Sequence, residues 1–249
     1  TQNTIEHRVA NKWILNNDNC HSQIENFGLN YLNCISNIDN KKLFFISGDS
    51  FGEHFVNVLT SNKSNTFKNI YLSKVKNKTF LKKEKLDLNT INDFKKISKD
   101  FEDSYFILSI SYHIDTEINQ LIKFFEYLPD ANIIIIMPHQ RSNKFIQQCI
   151  EYRSNFKIIS SYINSKVCEY DYDYDINRIT EINEKLLLLS MEFKNIKFFD
   201  FNKAICNSLK CNLYDKKNDI IYFTDNTHLT KEVADLISLD FEKWFISQL

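Results

Sequence analysis

Residues 44–55 read FFISGDSFGEHF: a hydrophobic run enters Gly48-Asp49-Ser50 with no spacer, and helical spacing begins at Phe51. A buried strand that hands over directly to a helix is the unit from which parallel sheets are built. The same pattern recurs along the chain. KLFFIS (42–47), FKNIYLS (67–73), SYFILSI (104–110), ANIIIIM (131–137) and NIKFFD (195–200) read as buried strands. Residues 51–61, 90–99, 116–128, 142–153 and 175–193 carry helical spacing; Leu121, Phe124, Phe125 and Leu128 fall on one apolar face. The alternation predicts an α/β domain of three layers, α/β/α, around about five parallel strands.

The chain closes on HLTKEVADLISLDFEKWF, in which Val233, Ile237, Phe241, Trp244 and Phe245 recur at three- and four-residue intervals. Thr230 is the expected N-cap of this last helix, and Glu232 suits its positive end. Residues 1–40 are less regular. They are expected to form an N-terminal extension wrapping the outside of a core domain over 41–249.

Composition narrows the function classes. The chain has 249 residues, enough for one domain with a real core, and 43% of them are hydrophobic. A net charge of −1 argues against a protein built to grip nucleic acid or an anionic membrane. Its one basic run, KVKNKTFLKKEK (74–85), reads as a solvated loop. No apolar run approaches the ~18 residues that span a bilayer, and the start TQNTIEHRVA has no signal-peptide pattern. These features fit a cytosolic protein, a processed chain or a soluble domain of something longer. The six cysteines, Cys20, Cys34, Cys149, Cys168, Cys206 and Cys211, lack the Cys-x-x-Cys spacing of a zinc site. Cys20 with Cys34 and Cys206 with Cys211 suit small disulfide loops in an oxidising compartment; six reduced thiols in the cytosol fit the composition as well.

Gly-Asp-Ser is a common turn tripeptide and alone decides little. In an open parallel sheet, however, sites form beyond the carboxyl ends of the strands. Ser50 stands there, at the mouth of a helix whose N-terminus favours developing negative charge. A serine hydroxyl needs a base to become a nucleophile. The candidate lies in YFTDNTHLTKE (222–232), where Asp225 and His228 are three apart before the last helix. A tight turn lets Asp225 hold one ring nitrogen of His228 while the other faces Ser50. For an isolated Asp-x-x-His, an Asx-turn beside a capping-region histidine is the ordinary reading.

Taken together, Gly-Asp-Ser after the first strand and Asp-x-x-His-Leu-Thr before a C-terminal helix resemble the SGNH/GDSL hydrolase family. The surrounding pattern, two cysteines before KKLFFISGDS and two before IIYFTDNTHLT, is similar to the soluble SGNH domain of acyltransferase family 3 proteins, which O-acylate cell-surface polysaccharides. The resemblance implies a flavodoxin-like SGNH hydrolase fold, Ser50 as nucleophile, His228 as general base and acid, and Asp225 as the residue that orients His228. It implies acyl transfer, acetyl above all, through an acyl-Ser50 ester, with no cofactor and no metal. The implied partners are a carbohydrate acceptor, an acyl donor and a membrane acyltransferase domain on the same or another chain, with no nucleic acid. The implied location is extracytoplasmic, periplasmic and tethered to the inner membrane. Disulfides Cys20–Cys34 and Cys206–Cys211 follow from the same pattern, whereas Cys149 and Cys168 receive no pairing. Two alternatives stand beside the transferase: a stand-alone carbohydrate acetylesterase, and a non-catalytic glycan-binding or docking module.

The match thins at the oxyanion hole. Many family members contribute a glycine and an asparagine from two middle blocks, yet the glycines here are Gly28, Gly48 and Gly52 only, and LSISYHID (108–115) has no Gly-x-Asn-Asp. Phe51 also stands where histidine is frequent. The Ser50 N–H is one expected donor, and Ser109, Ser111 and Tyr112 are candidates for another. His54, one helical turn beyond Ser50, either lines the site or lies on the helix surface. His113 and His139 follow strand ends, as cleft edges or polar loop residues. CEYDYDYD (168–175) spaces Asp171, Asp173 and Asp175 like a calcium loop, but it lacks the glycine at the sixth position and has Ile182 at the twelfth. Its tyrosines suit sugar stacking or a solvated edge.

Overall fold

A computed structural model describes residues 31–35, 42–48, 50–59, 61, 66–67, 70–73, 88–100, 103–109, 117–139, 141–142, 149, 168–171, 176–206, 210–215, 218, 220–225 and 227–249. The expected helix over 142–153 (Ser142 and Cys149 apart), the basic run 74–85 and the Cys20–Cys34 bond lie outside them.

The central sheet contains β1 (Tyr31–Ile35), β2 (Leu43–Gly48), β3 (Ile70–Ser73), β4 (Ser104–Ser109), β5 (Asn132–Ile136) and, later in the chain, β7 (Ile196–Phe199). Their order across the sheet is β1-β3-β2-β4-β5-β7. From β3 to β7 all pairings are parallel; only β1 runs antiparallel, on the edge beside β3. The five parallel strands are the five read from the sequence. Numbered among themselves they follow the order 2-1-3-4-5, in which the winding direction reverses between β2 and β4.

The strands explain their own composition. In β2, Phe44 and Ile46 belong to one apolar cluster and Leu43 and Phe45 to the other, all four buried. Successive side chains of a strand point to opposite faces, so a run hydrophobic at every position needs cover on both. The first face is covered by α1 (Ser50–Leu59) and the last helix α6 (Lys231–Ser247), which contribute Phe55, Leu59, Ile237 and Phe241. The second is covered by α2 (Leu88–Asp100), α3 (Glu117–Tyr127) and α4 (Ile176–Glu192), through Phe94, Phe124 and Leu186. This is the three-layer α/β/α arrangement expected from the sequence.

Smaller elements decorate the carboxyl side. β6 (Glu169–Asp171) pairs antiparallel with β8 (Lys210–Asn212), and β9 (Tyr214–Asp215) with β10 (Ile220–Ile221); α5 (Asn202–Ile205) follows β7. Two disulfides flank the β6–β8 ribbon: Cys206–Cys211 as expected, and Cys149–Cys168, which the sequence left unpaired.

Candidate active site

Gly48 is where the chain geometry becomes exacting. It pairs with Ser109 at the ends of β2 and β4, and a Cβ on it would come within 1.9 Å of the Ser109 carbonyl oxygen. Only glycine permits that approach. Two residues later α1 begins at Ser50, so the hydroxyl lies at a helix N-terminus, outside the strand ends where the winding reverses.

The segment that meets it is closed on itself. Phe223 and Leu229 form an antiparallel bridge, both buried, and the Thr224 N–H donates to the His228 carbonyl at 2.7 Å. Asp225 Oδ1 accepts from the Thr227 and His228 amides at 2.7 and 2.8 Å and from the Thr227 hydroxyl at 3.1 Å. Below the loop, Thr230 caps α6 by accepting from the Val233 N–H at 3.3 Å and donates its hydroxyl to the Ile221 carbonyl. Glu232 reaches back to the Ile221 N–H at 3.1 Å.

Within this frame Asp225 Oδ2 lies 2.6 Å from His228 Nδ1, and His228 Nε2 lies 3.0 Å from Ser50 Oγ. The Asx-turn and the ring contact therefore coexist, one on each carboxylate oxygen. Because a carboxylate only accepts, His228 Nδ1 carries a hydrogen and Nε2 is free to accept from the serine hydroxyl. Burial pushes the Asp225 carboxyl up, but hydrogen bonds from the His228 ring and from the Thr227 and His228 amides outweigh it and hold the carboxyl well below its usual range. The result is a fixed negative charge behind an imidazole that faces a hydroxyl. Chemically, such a line can draw a proton from Ser50 and stabilise the imidazolium that results.

The match to known families is decisive at the level of the domain: residues 19–243 fit the family described as SGNH domain (fused to AT3 domains). The chain belongs to this family. A comparison with curated proteins gives no match. Among solved structures, the SGNH domain is similar to the periplasmic domain of the lipopolysaccharide acetyltransferase of Salmonella ser. Paratyphi A, with 23% identity, a TM-score of 0.55 and 86% of each chain covered. At that identity the likeness bears on the fold.

Around the line, the SGNH domain uses aromatic rings. His54 is buried (3% exposed), not on the helix surface, and its ring meets that of His228 edge-on at 4.7 Å. Burial first, and then the nearness of His228 and His139, hold its pKa well below 6.5, so it is neutral at pH 7. His139 is buried as well, in contact with the Phe51 ring at 4.9 Å, and its Nε2 lies 2.7 Å from the Thr227 carbonyl. The Ser109 hydroxyl is committed to the Phe51 carbonyl at 3.1 Å. Ser111, Tyr112, His113, Asp173 and Asp175 lie outside the described residues. A cleft beside the line is bounded by Phe51, His54, Ser109, His139, Arg141 and Arg178. The arginines were not singled out in the sequence, where nothing in their local spacing distinguishes them from surface cations.

Proposed function

We propose that this SGNH domain transfers an acyl group, acetyl in the simplest case, to a hydroxyl of a cell-surface polysaccharide through an ester on Ser50. The observation that carries the reading is the single imidazole shared between Asp225 at 2.6 Å and Ser50 at 3.0 Å. The family's fusion to AT3 domains and the acetyltransferase name of the Salmonella protein support it from outside the chain.

In the first half-reaction His228 Nε2 takes the Ser50 proton as Oγ attacks the acyl carbonyl. The tetrahedral oxyanion then collapses, and the leaving group departs with the proton from His228. In the second, Nε2 takes the proton of a sugar hydroxyl, whose oxygen attacks the acyl-Ser50 carbonyl. Collapse breaks the Ser50 ester bond, and His228 returns the proton to Oγ. Asp225 stays ionised throughout, opposite the imidazolium. The acyl donor would arrive through a membrane acyltransferase domain on the same or another chain, which places the domain on the periplasmic side, tethered to the inner membrane.

The test is to trap the ester. After brief exposure to an activated acetyl ester and an acid quench, peptide mass mapping should find one acetyl group on Ser50. Ser50→Ala should carry no acetyl there. Ser50→Ala, His228→Ala and Asp225→Asn should each lower turnover by about 10³-fold or more. Full turnover in Ser50→Ala, or an acetyl carried elsewhere, would rule the reading out.

A further inference from the structure

His139, like His54, is a buried titratable group beside the site that the proposed reaction does not use. Its Nε2 lies 2.7 Å from the Thr227 carbonyl oxygen, which can only accept, so Nε2 carries the hydrogen and donates. That carbonyl belongs to the peptide joining Thr227 to His228. The N–H of the same peptide donates to Asp225 Oδ1 at 2.8 Å. One peptide plane, immediately before the His228 side chain, is thus gripped on opposite edges by two side chains from distant parts of the sequence.

His139 is itself held rigidly. Its ring lies against Phe51 at 4.9 Å and Phe201 at 5.3 Å, and Phe51 directly follows Ser50. The backbone is fixed too: Asn202 Nδ2 donates to the Pro138 carbonyl at 3.0 Å, and Arg178 donates to the His139 carbonyl at 3.3 Å. Through the Nε2 bond to Thr227, the end of β5 is tied to the loop that carries His228.

We propose that His139 is a positioning residue: by holding the Thr227–His228 peptide it keeps the His228 imidazole in line between Asp225 and Ser50. The inference rests on the acyl-transfer reading for its kinetic consequence, though not for its geometry. A misplacement of about 1 Å at a reacting group can cost ~10²-fold in rate, and a tilt of this peptide swings the imidazole by such amounts.

Two variants of the full chain test it. His139→Phe keeps an aromatic ring among Phe51 and Phe201 and deletes the donor; His139→Gln keeps an N–H near the position of Nε2. With a small activated acetyl ester, His139→Phe should lower kcat about 10- to 100-fold with KM within about twofold, and His139→Gln should recover most of the loss. In the resting protein, the proton NMR signal of His228 Nδ1–H, bonded to Asp225, should shift or broaden in His139→Phe and return in His139→Gln. A folded His139→Phe with wild-type kcat and an unmoved Nδ1–H signal overturns the proposal. Equal losses in both variants, together with a lowered thermal transition in both, also overturn it by showing a purely structural role. If Ser50→Ala keeps full hydrolysis, it is the acyl-transfer reading that fails, and the Nδ1–H signal alone then decides whether His139 positions His228.

Discussion

Asp225 and His228 were visible as a pair in the sequence because their spacing makes sense within one turn, while Ser50 was visible because it follows a strand and a glycine. The role of His139 was not legible there. MPHQR (137–141) reads as a polar exit from a strand, and only the packing of Phe51, Phe201 and Phe223 around the ring buries it. That burial has a measurable consequence. Desolvation lowers the His139 pKa to about 4, with the Thr227 hydrogen bond opposing and the charges of Arg178, Arg141 and His228 adding to it. In the unfolded chain the same ring binds a proton at its ordinary 6.5. Between these values the unfolded state holds more protons, so stability is complete above about pH 6.5 and is lost as the pH falls toward 4. Over pH 7 to 4.5 this one group should remove ~2–3 kcal/mol. His54 acts in the same direction, and Asp225 extends the loss below the ordinary carboxylate range. Urea titrations at pH 7 and 4.5 should show the fall, and His139→Phe should show a distinctly shallower one. A wild-type midpoint that does not move over this interval would contradict the buried, neutral state of these rings.

The parallel strands could be read in advance because they are hydrophobic along most of their length, and β2, β4 and β5 are buried on both faces. β1 is different: in YLNCI (31–35) Asn33 interrupts a short apolar run, and the pairing with β3 makes it a strand. β6 and β8 are three residues each and pair across about forty residues of chain, a distance over which local pattern is silent. The Cys149–Cys168 bond escaped as well, since its partners are 19 residues apart and no local pattern pairs them. The ribbon supports the site from beneath, because Tyr170 of β6 packs on Phe223, one end of the loop that carries His228. Closing a 19-residue interval should contribute ~3 kcal/mol, against ~2 kcal/mol for the five-residue interval of Cys206–Cys211. Replacing Cys149 and Cys168 by serine should therefore lower stability more than replacing Cys206 and Cys211, as read from denaturant midpoints with the remaining bond intact. The reverse ranking would mean that local geometry, not chain entropy, dominates. The cap of α6 makes a sharper case. Thr230 satisfies the Val233 N–H and the Ile221 carbonyl together. Thr230→Ala should cost about 1–2 kcal/mol and Thr230→Ser only a fraction of that, by the same measurement.

In the proposed reaction, acyl transfer and hydrolysis differ only in which hydroxyl reaches acyl-Ser50, and that choice belongs to the domain as a whole. The site sits where the winding of the sheet reverses, beside a cleft bounded by Phe51, His139, Arg141 and Arg178. Water is present at far higher concentration than any sugar. A bound acceptor overcomes that excess only through positioning, for which effective molarities of about 10⁵ M or more are attainable. Such positioning needs the acceptor to occupy the cleft. With a small activated acetyl ester and nothing in the cleft, water should react by default, and turnover should be slow. Adding the matching polysaccharide should then divert acetyl to sugar hydroxyls, in proportion to cleft occupancy and only when Ser50 is present. Mass spectrometry of the glycan, run beside acetate release, reads the partition directly. Fast acetate release that no surface glycan ever diminishes would make water the natural acceptor and the domain an esterase. Glycan binding with neither acetate release nor transfer, while Ser50 and His228 remain 3.0 Å apart, would make it a binding module.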